Sequence, residues 1–316
     1  MTVAGANEQS DLDRTAALPR PIGPWLWLGI GVAAAVLGLL PWIITGLRLP
    51  LQNLWDTSTL PEQMPLALLP FSQYYITLVA GILVVGAAIA GLVARSTRSR
   101  QGQRGMRALT AGLLGAQFIA VVQTTVVVAG GLSSGTAATI YLLAVVAVAV
   151  VSLAVGALVF FLIARTPRPG ALIGMSLAAV AVGWWVDALV LPNPGLVGPV
   201  QMTLLGLLQW LPAILVGVAI AWCGIRSIGQ GLAALTALAA VVIGPALATA
   251  VTAAAGTRVL ARYPAEMLDY GLQVFEQVLV TPELTLRPLV TVLVVAAAGL
   301  VLAAVLRRRR APVAEG

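Results

Sequence analysis

The chain has 316 residues, 60% of them hydrophobic and 9% charged, with a mean hydropathy of +1.00. Soluble domains use apolar residues for about half the chain and charged residues for about a quarter, so this composition excludes a soluble fold and points to an all-α polytopic membrane bundle. The formal charge of +7 comes from 18 arginines in short segments flanking apolar runs, which accounts for it as bilayer orientation and leaves no nucleic-acid partner expected.

Missing residue types narrow the chemistry further. Lysine and histidine are both absent, which removes Schiff bases, the P-loop lysine and the commonest general base and metal ligand. Cys223 is the single cysteine, so no intrachain disulfide can form, and its expected role is that of a small buried hydrophobe at a helix end. No cofactor or metal is expected.

In chain order, residues 1–24 carry Glu8, Asp11, Asp13, Arg14 and Arg20 among prolines and read as a disordered tail. Crossing the hydrocarbon takes about 20 apolar residues. Eight stretches meet that need: Trp25–Leu47, Gln73–Ala94, Ala108–Gly130, Ala137–Ala164, Ala171–Leu191, Gln201–Trp222, Leu232–Gly256 and Pro288–Leu306. One membrane domain therefore covers residues 25–306, followed by a basic tail at 307–316. The first run is too long and starts too late for a cleaved leader and is treated as a retained span.

Arginine placement predicts orientation. Fourteen arginines, including Arg95 to Arg107, Arg165, Arg168, Arg226 and Arg307 to Arg310, fall on one side, against Arg48, Arg258, Arg262 and Arg287 on the other. The positive-inside rule then places both termini in the cytoplasm, in the inner membrane of a bacterium. Trp42, Tyr74, Tyr75, Tyr141, Trp184 and Trp185 near outer ends, with Trp25, Trp27 and Trp222 near inner ends, match two interfacial aromatic belts. Membrane lipids are the expected partners, and the arginine clusters could meet anionic headgroups. Small residues four apart (Gly29/Ala33, Ala87/Gly91, Ala111/Gly115, Ser152/Gly156) allow close helix packing.

Two outer loops are long, at about 48–72 and 257–287. The first carries Pro50, Pro61, Pro65 and Pro70, which predict an irregular path with one short helical turn. Its Trp55 and its apolar Met64–Phe71 stretch suggest that it packs back onto the bundle. In the second, Leu268, Leu272, Phe275 and Leu279 share one face of a helix over Pro264–Val280, with Glu266, Asp269, Gln273, Glu276 and Gln277 largely opposite. Pro264 suits its first turn and Pro282 ends it. The helix is expected to cap the bundle or lie on the outer surface.

Asp187 is the only charged residue inside the predicted spans. An intramembrane carboxylate is a functional-site candidate. At about 1.5 Å per residue it lies roughly 6 Å below the outer end of its span, Gln123 roughly 10 Å and Gln209 roughly 12 Å. These residues and Thr124 are expected to line an outward-open cavity between spans 3, 5 and 6, with Gln117 deeper and Trp210 adjoining Gln209. Pro41, Pro212 and Pro245 are candidate helix breaks of the kind that bind solutes in transporters. The blander account has Asp187 reaching the headgroups beside Trp184 and Trp185, and the glutamines bonding between helices.

A permease-like or transport-associated role heads the functional expectations. With no nucleotide-binding motif, an ABC-type permease would need a separate ATPase. A scaffold or accessory subunit with membrane-protein partner subunits comes second. Third is an enzyme: the layout of the first loop resembles membrane glycosyltransferases using lipid-linked sugars, with Asp56, Glu62, Glu266 and Asp269 as the outer-loop acids available for it. For these four, solvated surface acids are the simpler account.

Overall fold

The computed structural model describes residues 23–192, 197–257 and 263–310, with side chains as far as Arg307. Residues 1–22 of the expected tail, Arg258 and Arg262 and residues 311–316 lie outside it, while Pro24, placed in that tail, opens the first helix. Eleven α-helices and two short 3₁₀ turns account for the described secondary structure. They are α1 (Pro24–Gly38), α2 (Leu40–Ile44), α3 (Ile76–Ser96), α4 (Gln103–Gly131), α5 (Thr136–Arg165), α6 (Arg168–Val190), α7 (Pro199–Leu208), α8 (Leu211–Cys223), α9 (Ile228–Gly256), α10 (Pro264–Val280) and α11 (Pro282–Arg310). Seven spans are long and apolar enough to cross a bilayer, α7 and α8 counting as one, and the shorter α1 makes the eighth. The chain is an all-α, multi-pass membrane bundle.

Proline sets several boundaries. It stands in the first two positions of α1, α2, α6, α7, α8 and α10, where its missing N–H costs no helical bond. Pro41 and Pro212 do interrupt their spans, at Leu39 and at Gln209–Trp210. Pro245 does not: α9 runs through it without a break. A membrane helix absorbs one lost bond when its neighbours pack well; here Ala246 is fully buried and Gly244 leaves room for Val180 of α6. The last helix also starts at Pro282 and not at Pro288, so Pro282 both ends α10 and opens α11. At its other end α11 extends through the first four residues of the expected basic tail.

Packing is uneven. α3 is the central helix, touching α1, α5 and α6, and α1 lies along α4. In the other half α6, α8, α9 and α11 pack together, and α10 lies against the last turns of α9, where Gly271 meets Ala250 and Ala254. In the most apolar stretch of α3, 67% of the residues are buried within the chain, against 11% in α11. Burial within the chain thus falls from α3 towards α11, and the last helices present most of their apolar surface outward.

α1 and α4 approach each other closely. Gly31 lies against the backbone of Leu109 and Leu113, and Gly112 against the backbone of Leu28; a side chain at either glycine would collide with main chain, which cannot move aside. Two of the four small-residue pairs from the sequence do mark interfaces: Gly91 meets Phe160 and Ile163, and Gly156 meets Leu83 and Ala87. Gly29 and Gly115 face open space.

The aromatic belts need correction. Trp27 and Trp42 are 1% and 4% exposed and belong to the core. Trp42 Nε1 donates to the Ala67 carbonyl (2.8 Å), and Trp185 Nε1 donates to the Gly38 carbonyl (2.7 Å), which the break before Pro41 leaves available. Trp25, Trp222 and Tyr74 remain exposed at the two ends.

Candidate functional site

The segment from Leu47 to Ser72 folds as a cap over the ends of α3, α4 and α5. Four prolines keep it from joining a sheet, yet Leu49, Met64, Ala67, Leu69 and Phe71 are buried. Buried backbone amides must find partners, and here much of the pairing comes from helix side chains. The Gln123 amide acts as a strand edge, accepting from the Leu68 N–H (2.9 Å) and donating to the Leu66 carbonyl (3.0 Å). Thr124 Oγ1 accepts from the Leu69 N–H (2.9 Å). Gln52, itself buried, donates to the Pro50 and Phe71 carbonyls and accepts from the Tyr141 hydroxyl. Leu49 N–H to Pro65 and Ala67 N–H to Leu47 add a short backbone ladder within the loop. The expected helical turn is present at Pro61–Gln63.

A second seam joins the cap to the α4–α5 connection. The Asp56 N–H donates to the Gly131 carbonyl (2.9 Å) and the Ser133 N–H to the Leu54 carbonyl (2.8 Å). Between these bonds the Trp55 indole covers Gly131. The cap is therefore fixed to α4 at two places, one of them about two turns into the helix.

These bonds dismantle part of the expected cavity. Gln123 and Thr124 face the cap backbone, and α4 is not a packing neighbour of α6, α7 or α8. Gln117, 3% exposed, donates from Nε2 to the Leu83 carbonyl of α3 (2.8 Å), while its Oε1 is buried without a hydrogen-bond partner. Gln123 and Thr124 therefore bond to the cap and Gln117 to α3, and none of the three bonds to spans 5 or 6 among the described residues.

Asp187 and Gln209 do belong together in depth. The Pro212 ring packs against Gly183, which sets the register between α6 and the antiparallel α7–α8 span. One helical turn nearer the cap, Asp187 and Gln209 then stand at about the same level, some 5 Å above that contact. Both are exposed. Gln209 Nε2 donates back to the Gly206 carbonyl (2.6 Å), which ties its side chain to the break in its own span. Asp187 makes no side-chain hydrogen bond or ion pair among the described residues. Trp210, half-buried, sits in the break itself.

The outer-loop acids stay apart. Asp56 and Glu62 are exposed on the cap, and Glu266 and Asp269 are exposed on α10. No group of three carboxylate, thiol or imidazole side chains comes together among the described residues.

At the opposite end, arginines cap helix C-termini, where unpaired carbonyls carry partial negative charge. Arg95 donates to the Ile163 and Thr166 carbonyls (2.8 and 3.0 Å) and Arg98 to the Ala164 carbonyl (2.6 Å), closing the end of α5. Arg95 and Arg168 also lie over the Trp222 ring, 5.0 and 5.8 Å from its centroid, close enough for cation–π attraction. Trp222 thereby ties α3, α6 and α8 together at this end, beside the buried Cys223. The sequence marks these arginines as orientation signals and headgroup contacts, but their role in closing the end of α5 is a tertiary feature with no local signature. No family model, curated protein or solved structure matches the chain.

Proposed function

We propose that this chain is a non-catalytic scaffold or accessory subunit of a bacterial cytoplasmic membrane, with its arginine-rich end and both termini inside. The observation that supports it is the fate of the polar side chains at membrane depth. Gln123 and Thr124 are bonded to the cap backbone and Gln117 Nε2 to the Leu83 carbonyl of α3, so these side chains serve to hold the fold. The uneven packing agrees with it, since the α8–α9–α11 half offers broad apolar faces that lipid or another membrane protein can cover. Blue-native electrophoresis of native membranes tests the proposal. A stable species larger than the monomer, with no solute flux in proteoliposomes, is the expected result; a chain that migrates alone and conducts a solute refutes it.

A permease-like role is the second reading, favoured by one observation. Asp187 and Gln209 stand at matched depth beside an interrupted span, an arrangement of the kind transporters use. Under that reading, Asp187→Asn abolishes flux measured in proteoliposomes; under the scaffold reading there is no flux to lose.

A further inference from the structure

Between the ends of α3, α4 and α5 at the arginine-rich end lies a cavity of about 100 Å³, lined in part by Arg98, Gln101, Gln103, Met106 and Arg165. We propose that it binds a phosphate group, either the headgroup of an anionic phospholipid or a soluble phosphate. Three features converge on an anion. Two guanidiniums line the cavity and no carboxylate does. Arg98 is oriented by its bond to the Ala164 carbonyl (2.6 Å), which leaves its other N–H groups for a ligand, and the Arg165 side chain makes no hydrogen bond or ion pair among the described residues. The Gln101 Nε2 is buried and has no hydrogen-bond partner, an expensive state for an amide donor that a bound phosphate oxygen would relieve. Ala94, Met106 and Ala164, all buried, complete the lining, so the site combines apolar walls with a cationic rim. Guanidinium pairs suit the several oxygens of a phosphate, and the position at a helix-bundle end suits a headgroup. The proposal does not depend on whether the chain is a scaffold or a permease.

The test uses delipidated full-length protein in detergent and three probes: short-chain phosphatidylglycerol, phosphatidylcholine of the same chain length, and inorganic phosphate. Binding is read by native mass spectrometry and by thermal shift. Wild-type protein is expected to prefer phosphatidylglycerol or phosphate over phosphatidylcholine. Arg165→Gln, an exposed position whose loss leaves the fold intact, and Gln101→Glu, which places a carboxylate in the cavity, should each weaken binding by roughly tenfold, about the effect of one charge-assisted hydrogen bond. Arg226→Gln, at the same end but outside the cavity, should leave binding unchanged. Saturation by phosphate alone identifies a soluble ligand, and binding of phosphatidylglycerol alone identifies a lipid; either supports the site. Equal affinity for phosphatidylcholine, equal loss in Arg226→Gln, or no loss in Arg165→Gln and Gln101→Glu overturns it.

Discussion

The Trp55 indole rests on the bare backbone of Gly131, in the space that any Cβ at that position would occupy. This contact sits between the two backbone bonds that join the cap to the α4–α5 connection. Gly131→Ala should therefore destabilise the protein by about 1–3 kcal/mol through overpacking. Gly115→Ala, in the same helix but facing open space, should stabilise by about 0.5–1 kcal/mol. Unfolding in mixed-detergent titrations reads both, and equal effects at the two glycines would contradict the placement of Trp55.

Gln123 and Thr124 hold the cap more directly. Gln123→Leu removes partners from the Leu66 carbonyl and the Leu68 N–H, and Thr124→Val removes that of the Leu69 N–H. Each cap N–H left without its partner costs about 1–3 kcal/mol, whereas the carbonyl of the exposed Leu66 can turn to water. Hydrogen exchange of the Leu68 and Leu69 amides is the specific readout: it should accelerate in the matching variant while amides in α6 and α9 stay protected.

The α1–α4 interface should tolerate no side chain at its closest point. Gly31→Val and Gly112→Val each drive a branched side chain into backbone, so a loss at or above the upper end of the roughly 1–3 kcal/mol overpacking range is expected. Size-exclusion profiles of the two variants should show little monodisperse protein, whereas Gly29→Val, two residues from Gly31 but facing open space, should behave as wild type.

Asp187 has no side-chain partner within the described chain, so Asp187→Asn should change stability by no more than about 0.5 kcal/mol. A larger loss in detergent would reveal a structural partner. A neutral result in detergent combined with loss of a larger complex in native membranes would place that partner on another protein.

Orientation can be checked by cysteine labelling in a Cys223→Ser background. Ser58→Cys on the cap should react with an impermeant maleimide in intact cells, and Ser99→Cys between α3 and α4 only after permeabilisation. The reverse pattern would invert the proposed topology.

Much of this molecule is legible along the chain, because hydropathy acts locally. A run of about 20 apolar residues must cross a bilayer and must pair its own backbone as a helix, whatever lies beside it. The spans follow from that rule, and equally local signals, helical periodicity and proline placement, foretell the amphipathic helix, whose bounds are those predicted, and the 3₁₀ turn. The tertiary structure decided what polar and aromatic residues do, because that depends on which backbone lies opposite. Gln123 looks the same in sequence whether it lines a cavity or completes a loop's hydrogen bonds, and Trp42 whether it floats at headgroup depth or buries its indole against Ala67. Only the packed chain places Leu66 and Leu68 across from Gln123, seats Trp55 on Gly131, and sets Pro212 against Gly183 so that Asp187 and Gln209 stand at matched depth.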